Sequence, residues 1–65
     1  MKGSVKMSDY INGELYRTIA VFDGSDAFIV EQYTECKIGY KCLGVVFRGT
    51  FPECVSYLAA YRAAL

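Results

Sequence analysis

The chain contains no histidine. That removes the commonest general base, the Ser-His and Cys-His nucleophile pairs, and the commonest metal ligand. Cys36, Cys42 and Cys54 remain, spaced Cys-x5-Cys-x11-Cys. With no C-x2-C element, a zinc site would need all three thiolates plus a carboxylate. The simpler reading makes Cys54 a small core hydrophobe and leaves Cys36 and Cys42 as thiols flanking a loop. An odd number of cysteines cannot all pair within the chain, which disfavours a secreted disulfide scaffold; a Cys36–Cys42 bridge would need oxidising conditions. Asp23, Asp26, Glu31 and Glu35 suggest a cation site only superficially, because Asp23-Gly24-Ser25-Asp26 lacks the ligand count and distal glutamate of a calcium loop. The isolated glycines do not make a phosphate loop, and Arg48, Gly49 and Thr50 are a minor anion candidate at a helix start. The expectation is a non-enzymatic chain with no cofactor and no metal.

The elements that position these residues are set around Phe47-Arg48-Gly49-Thr50-Phe51-Pro52-Glu53-Cys54. Thr50 and Glu53, three apart, spell a capping box in which each side chain accepts the other's backbone N–H. Pro52 is tolerated because the first helical turn has no acceptor for its N–H groups. A helix over about 51–65 follows, with Phe51, Cys54, Val55, Leu58, Ala59 and Leu65 on one face. Tyr57 and Tyr61 are placed together on one flank, and Arg62 suits the C-terminal dipole.

Upstream, Asn12-Gly13 between Tyr10-Ile11 and Glu14-Leu15 is a hairpin signal, since a type I′ turn needs positive φ at both positions. A strand over roughly Val5 to Ile11 precedes it, with residues 1–8 as a flexible arm or tag in the alternative. Leu15 to Phe22 and Ala27 to Glu35 form a second hairpin around the Asp23–Asp26 turn formers. Pairing Phe22 with Ala27 sets Val21, Ile19, Phe28 and Val30 on one face, joined by Leu43, Val45 and Phe47 of the Cys42–Arg48 strand. A two-residue Asp-Gly turn is the rival register. Gly44 weakens its strand and marks a bulge or a close approach. The fold class is α+β: an antiparallel β-meander of three or four strands with one C-terminal helix packed on one face, in a single domain spanning 1–65.

A helix covers one side of a sheet, so the register above leaves Tyr16, Phe22, Ile29, Glu31 and Tyr33 on the bare side. Those five are the candidate partner-binding residues. A chain of 65 residues that is 54% hydrophobic, with six tyrosines and four phenylalanines, has apolar surface in excess of what so small a core can bury. Tyrosine is enriched at interfaces because it offers large rigid area and a hydroxyl at low entropic cost. Seven basic and seven acidic residues give zero formal charge, which argues against nucleic acid or an anionic membrane as partner. No apolar run reaches the roughly 20 residues of a membrane span and no signal-peptide pattern opens the chain, so a cytoplasmic location is expected.

Two resemblances emerge from these motifs. Thr18-Ile19-Ala20-Val21-Phe22-Asp23-Gly24-Ser25, then a meander, then Phe47-Arg48-Gly49-Thr50 into a terminal helix resembles small phage-encoded type I anti-CRISPR proteins over roughly Thr18 to Tyr61. That resemblance implies a stoichiometric inhibitor that covers a working surface of a host defence complex. Gly49-Thr50-Phe51-Pro52-Glu53-Cys54 resembles the small domain of HicB-type antitoxins, which implies an RNA-cleaving toxin partner; the chain lacks the acidic residues usual after that Gly-Thr. Homodimerisation through the open sheet face is the structural alternative.

Overall fold

The structure, a computed structural model, describes residues 2–65, with side chains from Ser4 onward. Four antiparallel strands, β1 (Lys2–Ile11), β2 (Glu14–Val21), β3 (Phe28–Cys36) and β4 (Gly39–Gly49), form one sheet in the order β1-β2-β3-β4, followed by helix α1 (Phe51–Ala63). The α+β meander with one C-terminal helix read from the sequence is what the chain forms. Residues 2–8, read in the alternative as an arm, belong to β1 and pair with β2, with irregularities around Val5 and Met7. Asn12 and Gly13 take φ of 53° and 85°, the positive values required by the tight β1–β2 turn.

The capping box is present. Glu53 N–H donates to Thr50 Oγ1 at 3.3 Å, and Thr50 N–H donates to Glu53 Oε1 at 2.8 Å. Helix α1 lays Cys54 and Leu58 into a core with Ile11, Tyr16 and Val30, and Met7, Phe28, Phe47, Tyr57 and Tyr61 pack around them. The buried stripe is thus 54, 57, 58 and 61. Phe51, Val55, Ala59 and Leu65, expected on that face, are exposed. Tyr57 and Tyr61 do not stack on one another's flank: Tyr57 lies on Phe47 with ring centroids 4.6 Å apart, and Tyr61 meets Tyr16 edge-on at 5.5 Å. Arg62 at the last turn reaches Asp9 of β1 at 3.3 Å, so the helix starts at β4 and ends over the opposite edge.

The β2–β3 register differs from expectation by one residue. Val21, not Phe22, closes the hairpin, its N–H donating to Ala27 carbonyl at 2.9 Å, and Ala20 pairs with Phe28, Thr18 with Val30, Tyr16 with Gln32. Gly24 at φ 85° and Asp26 at φ 54° accommodate the longer loop. Because side chains alternate with period two, that single step sends every residue of β2 to the other face relative to β3. Tyr16, Thr18 and Ala20 lie under the helix with Phe28 and Val30, whereas Ile19 and Val21, expected there, lie opposite.

In β4, Val30 pairs with Phe47 but Glu31 with Val45, and Gln32 pairs with Gly44 but Tyr33 with Cys42. Val46 and Leu43 are the extra residues of two bulges, and Gly44 between them has φ 126°, a conformation that suits glycine. Each bulge resets the alternation, so Leu43, Val45 and Phe47 do not share the helix face. Phe47 packs in the core, Val45 is on the opposite side, and Leu43 is half exposed.

Candidate functional site

The face away from α1 carries, row by row across the ladder, Tyr10, Leu15, Tyr33 and Cys42; then Ser8, Arg17, Glu31 and Val45; then Val5, Ile19, Ile29 and Arg48. Three of the five expected contact residues are on it: Ile29, Glu31 and Tyr33. Tyr16 is not. It is 3% exposed in the core beneath α1, because the one-residue register step turned it inward. Phe22 lies beyond the end of β2 in the loop, with its ring exposed.

The middle of this face is closed by its own side chains, although no helix lies on it. Leu15, Ile19, Ile29 and Glu31 are all buried. The Arg17 guanidinium lies 5.0 Å from the centroid of the Tyr33 ring, both side chains being half-buried, a cation–π attraction of roughly 0.5–2 kcal/mol. The Tyr33 hydroxyl donates to Glu31 Oε1 at 2.7 Å. This bond, and burial after it, push the Tyr33 phenol up to about 12, since the bond exists only while the proton is present.

Tyr10 and Tyr40 come from the two edge strands, which two others separate, yet their hydroxyls are 2.8 Å apart and their ring centroids 6.2 Å apart. Strands spaced about 4.8 Å apart put β1 and β4 some 14 Å apart in a flat sheet. The two rings therefore lean toward each other across β2 and β3, over the row that holds Leu15 and Tyr33. The hydrogen bond to Tyr10 raises the Tyr40 phenol above its ordinary value. The large apolar groups exposed on this face stand at its rim, Val5 and Tyr10 from β1 and Tyr40 and Val45 from β4, with Ser8, Cys42 and Arg48 exposed among them.

Beyond the end of the sheet, Asp23 accepts from Ser25 N–H at 3.0 Å and from the Ser25 hydroxyl, and Arg48 reaches Asp23 at 3.3 Å and Ser25 Oγ at 3.2 Å. The Ser25 bonds, with Arg48 after them, hold the Asp23 carboxyl below the usual range. The acidic turn is thus tied to β4 by an arginine. Cys36 pairs with Gly39 and Cys42 with Tyr33, so the two thiols lie on opposite faces, three ladder positions apart. All three cysteines are free, and burial pushes the Cys54 thiol up. Among the described residues, no three His, Cys, Asp or Glu side chains converge as metal ligands, and no helix is long and apolar enough to cross a membrane.

Sequence reasoning missed a second surface. Phe47, Pro52, Glu53, Ser56 and Tyr57 line an open groove of about 440 Å³ along the outer flank of α1. Beside it, β4 is apolar in composition but exposed over most of its length, with Leu43, Val45 and Val46 all open to solvent. The only signal for this in the sequence was Gly44, read as a bulge. Comparison with known protein families, with curated proteins and with solved structures finds no match to this chain.

Proposed function

We propose that the chain is a non-enzymatic protein-binding module that works by stoichiometric occlusion, in the manner of small phage-encoded inhibitors of host defence complexes. Its place of action on that reading is the host cytoplasm. The observation that carries the reading is the rim of the helix-free face, where Val5, Tyr10, Tyr40 and Val45 stand exposed around a floor already filled by Leu15, Ile19 and Ile29. Exposed apolar groups around a closed floor suit contact with another protein surface, and aromatic anchors are the residues such contacts favour. Tyr33, over Glu31 and under Arg17, and Phe22 in the adjoining loop complete the contact set, with Ile29 and Glu31 supporting it from below.

The test is affinity capture with the tagged chain from lysates of candidate host bacteria, with titration of what is captured. The expected result is a multisubunit defence complex bound at a fixed stoichiometry, lost in a Val5→Lys, Val45→Lys double variant, both at exposed positions, whose thermal melt stays close to that of the parent. Capture of a small ribonuclease toxin instead would move the chain to the antitoxin reading. Retention of the complex by the double variant would refute the rim.

A further inference from the structure

We infer that Tyr10 and Tyr40 are a site of oxidative modification, where a peroxide-driven one-electron oxidant joins the two phenol rings by a carbon–carbon bond and so links the two edge strands of the sheet. This chemistry is independent of what the rim binds.

Three observations point to this pair. First, the hydroxyl oxygens are 2.8 Å apart while the ring centroids are 6.2 Å apart, so the rings converge at the edges that carry the hydroxyls. Those edges also carry the Cε carbons, ortho to oxygen. Second, both rings are open to solvent, Tyr10 at 63% and Tyr40 at 40%, whereas the other four tyrosines are buried or half-buried. Tyr16 and Tyr61 are also in ring contact, but Tyr16 lies in the core beneath α1, where an oxidant the size of an enzyme does not reach. Third, Tyr10 lies near the end of β1 and Tyr40 near the start of β4, with all of β2 and β3 between them in the chain. A hydrogen bond between two exposed hydroxyls replaces bonds to water and adds little to stability. What the pair does supply is proximity, which favours coupling within one molecule over coupling between two.

Each phenol gives up one electron to the oxidant and its hydroxyl proton to water. The resulting phenoxyl radicals carry spin on oxygen, on Cγ and on the two Cε carbons; Cγ is blocked by the side-chain stem, so the open position is Cε. A Cε–Cε bond forms, and the hydrogen on each of those carbons leaves to water while the ring oxygen takes up a proton, restoring both phenols. The protein loses two hydrogen atoms, and hydrogen peroxide, accepting the two electrons and two protons through a peroxidase, becomes two water molecules. Closing the remaining gap between the rings takes side-chain rotation, which is fast at exposed positions. The bond closes a covalent loop around β2 and β3, which restricts the unfolded chain as any long-loop crosslink does.

The test treats the full chain with a peroxidase and equimolar hydrogen peroxide. The expected product is a monomer lighter by two hydrogen atoms, with dityrosine fluorescence, a higher melting temperature and a yield per molecule unchanged on tenfold dilution. Trypsin, cutting after Lys6, Arg17, Lys37 and Lys41, should release peptide 7–17 joined to peptide 38–41, in which Tyr40 is the sole tyrosine. Tyr40→Phe should abolish the joined peptide; so should Tyr10→Phe, which distinguishes Tyr10 from Tyr16 on the same peptide. A Cys36→Ser, Cys42→Ser variant, free of the exposed thiols that compete as reductants, should give at least the parent's yield. Dityrosine confined to covalent dimers, a joined peptide that survives Tyr10→Phe, or no joined peptide in either the parent or the thiol-free variant would each overturn the site.

Discussion

Two hydroxyl groups in this protein have opposite energetic standing. Thr18 is fully buried under α1, and its Oγ1 has no hydrogen-bond partner among the described residues. An unpaired buried hydroxyl costs about 1–3 kcal/mol. Thr18→Val keeps the shape and removes the group, so urea unfolding should show the variant more stable by roughly 1 kcal/mol. The Tyr33 hydroxyl, by contrast, donates to the buried Glu31 carboxylate. Tyr33→Phe removes that donor and should cost roughly 1–3 kcal/mol, read in the same assay.

The raised Tyr33 phenol also sets a pH window. A group whose folded pKa lies above its unfolded value contributes stability that is complete below the unfolded value and lost as pH rises through the folded one. For Tyr33 those values are 10.0 and about 12. Tyr16, raised chiefly by burial, shifts in the same direction. Stability should therefore hold to about pH 10 and fall above it, and phenolate absorbance should rise in two stages, with the later one cooperative with unfolding.

At the scale of elements, the capping box and the bulges do different work. Thr50→Ala removes the acceptor for Glu53 N–H and should cost about 1 kcal/mol, a large share of the stability of so small a domain. Leu58 is held at 2% exposure against Ile11, Tyr16 and Val30. Its truncation to alanine should cost about 2–5 kcal/mol and leave the chain largely unfolded by circular dichroism at room temperature. Gly44 shows a purely conformational requirement. Among the described residues, no atom beyond its chain neighbours lies within 4 Å of where its Cβ would be, but its φ is 126°, so Gly44→Ala should destabilise by roughly 1–3 kcal/mol through backbone strain alone. Tyr16→Ala, which a bare-face placement would make a binding variant, belongs with Leu58 as a core variant, because its ring packs on Tyr61 and its hydroxyl accepts from Gln32 Nε2 at 3.1 Å.

For the molecule as a whole, one helix covers one face, and the other face covers itself through Tyr10, Tyr40, Arg17 and Tyr33. The apolar excess in the composition therefore shows up at the periphery, along the rim and the β4 edge. Signals confined to a few neighbouring residues were legible in the sequence: the Asn12-Gly13 turn, the Thr50–Glu53 box and the glycine at a bulge. Each depends on backbone and side-chain chemistry within four residues, which no distant contact has to supply. The face assignment was not local. It depended on whether the β2–β3 loop closed at Phe22 or Val21, and on where β4 inserted its two extra residues. Those choices follow from which set of side chains packs best beneath α1. With Tyr16, Thr18 and Ala20 alternating against Leu15, Ile19 and Val21, β2 offers an apolar set on either face, so its own pattern could not decide. Phe28, Val30 and Phe47, together with the tyrosines of the helix, selected the first set. The sequence by itself determined the elements and their order; only the tertiary structure decided which side chains lie on the helix-free side of the sheet, because a one-residue step in register exchanges the two faces and no local chemistry forbids either.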